Sequence, residues 1–545
     1  MSFKIIVNNE ELTFEKKVKL IDLCRGNLDI IAANVNNRIR ELDYEVYYDA
    51  TVNFLTLNDS SAIGQYRRSL LFVFLHAAHL VCPDLRIKLS YSVSRSIFAR
   101  DANGVQISYD MCNAIEKKMH ELVEANYPFE KIIVSNEEAQ KIYKEYGLQD
   151  KIDILKYRPE KTVHFYVCNG YKNYLFGHMV PSTGYVKKFK LRSYYPGILI
   201  SYPRSESNGD IPQFIEEPNF AKSLIESGQW AKTVKLDLVS RINDKIIDST
   251  AADLINICED KHYRMLVHLG DIIEKQIENT RLICIAGPSS SGKTTFANRL
   301  CDELKSRGFN PIRISLDDYY LTKDKMPVDE NGNIDFEHIN CLDINLFNQN
   351  MMDLLNGKEV SIPKFDFKTN KRIVGRVLKV NSKDPIIVEG IHALNEQMTN
   401  AIPKNNKFKI FISPQVQLNL DYENPISITD IRLLRRIVRD NKYRNSPAEE
   451  TIGMWPSVRK GEFRWIYKTQ EDADYVFDSF LPYEVCVLKK FALPLLKKID
   501  KESIYYPDAE RLIRMIKYFK TIEDTRCIPC NSLICEFIGG SSYGS

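Results

Sequence analysis

Midway along the chain the residues Gly287-Pro288-Ser289-Ser290-Ser291-Gly292-Lys293-Thr294, followed by Thr295, fit G-x-x-x-x-G-K-[ST] without a mismatch. They stand between the apolar run Leu282-Ile283-Cys284-Ile285 and a helical pattern that opens at Lys293, the setting this motif requires. Glycines let the backbone turn its N–H groups inward, and the helix start adds partial positive charge. The Lys293 ammonium can then reach β- and γ-phosphates, and the Thr294 hydroxyl can hold Mg²⁺. The next apolar run ends Ile314-Ser315-Leu316-Asp317-Asp318-Tyr319-Tyr320. Carboxylates at the carboxyl edge of a strand sit where α/β sheets bind ligands, and one of them can take a proton from an attacking hydroxyl while facing a metal. Asp-Asp at a strand end is also an ordinary cap or turn. Pro385-Ile386-Ile387-Val388-Glu389 is a third apolar run that closes on a carboxylate, suited to a direct or indirect Mg²⁺ role. Farther on, Arg432, Arg435, Arg436 and Arg439 share neighbouring turns of one helical stretch, where they could clamp a transferring phosphoryl group; a solvated basic face is the plainer explanation.

The elements that must position these groups alternate from about Arg281 onward: RLICIAG, a helix from Lys293, PIRISLD, the helix DINLFNQNMMDLLNG, PIIVEGI and FKIFIS. That order predicts a parallel sheet with helices on both faces, closed by the apolar helices YEVCVLKKFALPLLKKI and DAERLIRMIKYFKTI before the tail EFIGGSSYGS. The residues before it read differently. Residues 1–60 alternate as short strands around one helical stretch, and 61–205 carry the apolar helix Tyr66 to Cys82 and the strands HFYVCNG and LFGHMV. Residues 206–280 read as a connecting region, preceded by a turn-rich stretch at Arg204 to Pro212, and 501–545 as a C-terminal helix and tail. The fold class expected is multi-domain, α+β in front and α/β behind.

Length supports several domains, since a single core rarely serves 545 residues. With 75 basic against 72 acidic side chains the formal charge is +3, which gives no general reason for attraction to nucleic acid or membrane. The most apolar window, Ser69 to Cys82, is too short for a bilayer and carries His76 and His79. The amino terminus lacks a secretion signal, so a cytoplasmic protein is expected. The 12 cysteines are scattered, and Cys527-x-x-Cys530 lacks the second ligand pair of a zinc site.

The phrases AGPSSSGKTTFANRL, SLDDYY, DFEHINCLD, PKFDFKTNKR, IVEGIH, TDIRLLRRIVRD and EETIGMWPSVRKGE, in order over 281–500, closely resemble the uridine kinase and phosphoribulokinase family of phosphate-loop kinases. The resemblance implies ATP as donor, a nucleoside 5′-hydroxyl as acceptor, Asp317 as general base, and Thr294 and Glu389 with Asp317 near Mg²⁺. It also implies Arg432 against the nucleoside, Arg435, Arg436 and Arg439 in a mobile lid, and Glu337 facing the ribose. Where that family has a Tyr-Asp-Phe phrase and then a histidine, this chain has Phe365-Asp366-Phe367 and then Asn370. Stacking on a base is kept and hydrogen-bond selection is weakened, so a relaxed base preference among ribonucleosides is expected.

Residues 1–60 resemble the TGS module of threonyl-tRNA synthetases, and 61–205 their second additional domain, which edits misacylated tRNA. Where those editing domains carry metal-type histidines this chain has Arg68 and Phe72, so no working editing centre is expected, and His76 and His79 read as core histidines. Nucleic acid would bind, if at all, through these front regions, and a homo-oligomer is compatible with the sequence. Two alternatives stay open: a kinase of another hydroxyl compound such as a sugar phosphate, and a non-catalytic tRNA- or ribosome-associated protein that senses nucleotide.

Overall fold

The computed structural model describes residues 2–7, 9–175, 177–248, 250–328, 332, 334–366, 369, 371–381 and 383–544. Its central feature is a 5-stranded sheet built from β1 (Leu282–Ala286), β2 (Ile312–Ser315), β3 (Ile386–Glu389), β4 (Lys407–Ser413) and β5 (Tyr475–Asp478). The spatial order is β2-β3-β1-β4-β5, and every neighbouring pair is parallel. All of β1 is buried, and its residues alternate between two apolar layers as a pleated strand requires. Ile283 and Ile285 join the layer formed with Phe296 and Leu300 of α1 (Lys293–Ser306), while Leu282, Cys284 and Ala286 join Phe347 and Met351 on the other side. A strand apolar on both faces is the mark of a sheet covered on both sides. The sequence reading stopped at β4. It missed β5, whose run Tyr475-Val476-Phe477-Asp478 is too short to stand out from the polar residues before it.

Residues 206–280 are more than a connection. They form the helices Pro218–Thr233, Val239–Asp248 and Ala251–Gln276, and Leu254, Ile255, Cys258, Leu266 and Leu269 are buried in the layer that contains Ile283. The tail also differs from the expectation that it lies beyond the domain. Leu533, Ile534, Cys535 and Phe537 are buried in that same layer.

In front, a 5-stranded sheet of short strands spans residues 3–55 and a helix, Ser60–Val81, follows it. Ile5, Val52, Leu70 and Phe72 lie in one apolar cluster, so the cut placed at residue 60 runs through shared packing. Within that helix Arg68 donates from Nε to the His178 carbonyl at 2.8 Å, and Phe72 packs edge-on against Phe129 and Tyr171. His76 stacks on Tyr171, and burial lowers its pKa to about 4, whereas His79 is exposed and is not a core histidine.

Front and back are joined by buried charge. Lys151 pairs with Asp421 at 3.3 Å and Glu423 at 3.0 Å, Arg86 bridges Asp150 at 2.7 Å and Glu423 at 2.8 Å, and Lys88 meets Asp237 at 2.7 Å. Burial opposes ionisation of Glu423, but the cations of Lys151 and Arg86 overcome it and hold its carboxyl well below the usual range. The backbone follows the charges: the Leu89 N–H donates to the Tyr422 carbonyl at 2.8 Å, and Asn419 Nδ2 donates to the Leu89 carbonyl at 2.8 Å. These contacts grip residues 419–423, just ahead of the helix α2 (Ile428–Arg444).

Candidate active site

The loop between β1 and α1 has the backbone its glycines permit. A Cβ on Gly287 would collide with the carbonyl of Ile412, and Gly292 takes φ +91°, a conformation that L side chains rarely adopt. Ser290, with φ +59°, is the non-glycine residue held in the left-handed region here. The hydroxyls of Ser290 and Ser291 are buried and have no hydrogen-bond partner among the described residues. Such hydroxyls are costly unless a ligand meets them. Lys293 folds back, donating from Nζ to the carbonyls of Gly287 at 2.9 Å and Pro288 at 3.1 Å. Burial lowers its pKa, against the pull of Glu389, Asp317 and Glu536. Thr294 is exposed at the helix start.

Four acids, Asp317, Glu389, Glu337 and Glu536, share the electrostatic field of that lysine. Asp317, on the turn after β2, is exposed, yet the surrounding protein desolvates it and raises its pKa, while Lys293, Arg444 and Arg439 pull the other way. Asp318 points elsewhere: its Oδ1 accepts the N–H of Phe365 at 3.4 Å. Glu389, buried at the end of β3, is raised to about 7 by burial and by the charge of Asp317, with Arg313 opposing from 3.3 Å. Glu337 is raised to about 7 by burial and by Glu462, against Arg436 and Lys293. One of its carboxyl oxygens, Oε2, is buried without a hydrogen bond among the described residues.

The arginines of α2 divide in a way the sequence did not show. The helix begins where Ser427 Oγ accepts the Asp430 N–H, and it ends at Asn445 in the left-handed conformation. Arg432 and Arg435 are among the largest fully buried side chains of the protein. Arg432 pairs with Glu462 and donates from Nε to the Ser289 carbonyl at 2.9 Å. Arg435 pairs with Glu484 at 2.5 Å and donates to the carbonyls of Ser479 at 2.7 Å and Ser290 at 3.3 Å. This corrects the reading of Arg435 as a lid cation: a guanidinium sealed against a buried carboxylate cannot swing over a ligand, and it braces the loop from outside. Arg432 is likewise committed to Glu462. Arg436 donates to Ser289 Oγ at 2.8 Å, and Arg439 pairs with Asp440 at 2.8 Å. Arg444, which the sequence reading passed over, shares the field of Asp317. Its signal was its place on the last turn of the same basic helix.

On the acceptor side Phe365 is 5 % exposed and packs with Met326 and Cys341, with Tyr320 beside it at a ring separation of 5.6 Å. It belongs to the hairpin of Val360–Asp366 and Lys371–Leu378, which the sequence reading did not resolve. Phe367 and Asn370 lie outside the described residues. The sequence reading gave no role to Glu462, which ends the phrase EETIGMWPSVRKGE, or to Glu484, although each buried arginine demanded a buried acid.

Known proteins are similar to part of this chain. The Uridine kinase of Macrococcus caseolyticus (strain JCSC5402) is 31% identical over 201 residues, which is 37% of this chain and 88% of that one. The Uridine kinase of Staphylococcus haemolyticus (strain JCSC1435) is 31% identical over 199 residues, 36% of this chain and 87% of its own. That of Ureaplasma parvum serovar 3 (strain ATCC 27815 / 27 / NCTC 11736) is 32% identical over 177 residues, 32% and 77% respectively. The pattern of a single family matches residues 282–485, the stretch that runs from β1 to the first turn of the helix carrying Glu484. Through these residues the chain belongs to the Phosphoribulokinase / Uridine kinase family.

Proposed function

We propose that residues 282–485 transfer the γ-phosphoryl group of ATP to the 5′-hydroxyl of a ribonucleoside. The observation that carries this reading is the placing of Asp317 open to solvent, in the fields of Lys293 and Glu389, while its neighbour Asp318 is tied to the hairpin. The residues fit a nucleotide with its metal: the buried hydroxyls of Ser290 and Ser291 have no partner among the described residues, and neither Gly287 nor Gly292 leaves room for a Cβ. Thr294, Asp317 and Glu389 would hold Mg²⁺, and Gly287 to Thr295 would hold the phosphates, with Arg436 and Arg439 beside them. When bound, Mg²⁺-ATP supplies the phosphoryl group.

Asp317 then accepts the proton of the attacking hydroxyl. Lys293 releases its loop carbonyls and turns its charge to phosphate oxygens. Glu337 faces the sugar, where its raised pKa lets it serve as donor or acceptor near neutral pH. The replacement of a phenol and an imidazole by Phe365 and Asn370 weakens reading of the base edge, so selectivity among nucleosides is below about 10²-fold. A screen with radiolabelled ATP over uridine, cytidine, inosine, adenosine and sugar phosphates tests the reading. Phosphate in nucleoside monophosphates supports it. Label only in sugar bisphosphates would replace it with a sugar-phosphate kinase, and a uridine preference above ~10⁴-fold would refute the argument about the base.

A further inference from the structure

The tail returns to the loop that the preceding section assigns to phosphate. Glu536 Oε2 accepts the backbone N–H of Thr295 at 3.1 Å, on the first turn of α1. A Cβ on Gly292 would run into the side chain of Leu533, so the tail lies directly against the glycine that turns the loop. The backbone that carries Glu536 is fixed on both sides. Ser532 Oγ donates to Glu259 at 2.5 Å, Phe537 is fully buried, and Lys442 Nζ donates to the Ile538 carbonyl at 2.6 Å. Glu536 itself is half-buried, and its charge acts on Lys293.

The first-turn N–H groups of such a helix are the donors that anions seek, and a carboxylate is the nearest chemical stand-in for a phosphate oxygen that a protein can supply. The buried hydroxyls of Ser290 and Ser291 on the same loop, without a partner among the described residues, point independently to a hydrogen-bonding ligand at the loop. We infer that Glu536, outside the family region, is an affinity-setting residue of the nucleotide site: its carboxylate holds the Thr295 N–H and is displaced by a phosphate group of the incoming nucleotide. Because the tail backbone is anchored, only the side chain has to swing. The exchange lowers apparent affinity by the fraction of loops in which the carboxylate is in place. It also keeps small anions out of the loop, since a lone phosphate gains less from the displacement than a triphosphate.

This rests on the nucleotide reading above. The test is calorimetric titration of the full-length chain with ATP and with inorganic triphosphate, for wild type, E536Q and E536D, with thermal melts as a check of folding. Glutamine keeps the shape and removes the charge, so E536Q should bind both ligands about 2- to 30-fold more tightly, the range expected for a carboxylate at a helix start. Aspartate keeps the charge but withdraws it from the Thr295 N–H, so E536D should also tighten binding. If E536Q tightens and E536D matches wild type, Glu536 acts only through its field on Lys293 and the exchange is wrong. Weaker or unchanged binding by E536Q would make Glu536 a ligand contact or a bystander, which also overturns it. If wild type binds neither probe, the nucleotide reading falls first and this one with it.

Discussion

Asp317 and Asp318 are adjacent in sequence, but a hydrogen bond ties Asp318 to the hairpin while Asp317 stays exposed. Asp317→Asn should lower turnover by about 10²–10⁴ with little change in nucleotide affinity, because proton acceptance is lost and the shape is kept. Asp318→Asn should cost far less turnover, and steady-state kinetics on both variants would decide it; the opposite ranking would shift the assignment by one residue. Lys293→Ala should abolish transfer in a protein that still melts cooperatively, since its ammonium meets carbonyls and charge and fills no apolar core. The raised acids add a pH dependence. Glu337 and Glu389, both near 7, are neutral in much of the free enzyme below that pH and ionised above it. If Glu389 holds Mg²⁺ as proposed it must be ionised to do so, and kcat/KM should then rise between pH 6 and 8, with the rise shrinking in Glu389→Gln. Stability runs the other way. The folded state keeps protons on these groups that the unfolded chain releases near its ordinary carboxyl pKa, so stability falls as pH rises from about 4.5 to 7. In thermal melts of the ligand-free protein, Glu389→Gln should therefore gain on wild type as pH rises through that window.

Among the elements, α2 carries the most consequence, because its buried arginines hold the phosphate loop by its carbonyls. Removing one partner of a buried ion pair leaves an uncompensated charge, so Glu484→Ala should destabilise the protein by about 3–5 kcal/mol in denaturant unfolding. A loss below about 1 kcal/mol would show that Arg435 finds water or another acceptor. The sequence made β1, β2, β3 and β4 readable because each is an apolar run bounded by turn formers, and the loop motif fixed where α1 begins. It could not show the inward turn of Arg432 and Arg435: helical spacing puts Arg432, Arg435, Arg436 and Arg439 on one broad face, and only the distant acids at 462 and 484 decide which of them are buried. The helix Ala251–Gln276 was missed for a related reason. Its buried face itself includes the polar Glu259 and His262, which interrupt the apolar stripe.

For the whole molecule, the interface between front and back is charged, buried and specific. A chain beginning at residue 206 keeps Asp237, Asp421 and Glu423 but loses the cations of Lys88, Lys151 and Arg86. It should melt well below the full-length protein, because the acids lose the cations that seal them. Equal melting temperatures would show that the front regions are passengers on an independent kinase.

The same interface sets an order of events at the ribosome. Lys151 and its partner Asp421 are 270 positions apart in the sequence, so at about 5–20 residues per second the front half waits roughly 14–54 s after Lys151 is made before the acid that pairs with it exists. During that interval Lys151 cannot be sealed as it is in the finished protein, and the surface destined for residues 419–423 stays wet. Synthesis of residues 419–423 is thus the event that lets the front half close, and a nascent chain that stalls before residue 421 cannot make this clasp.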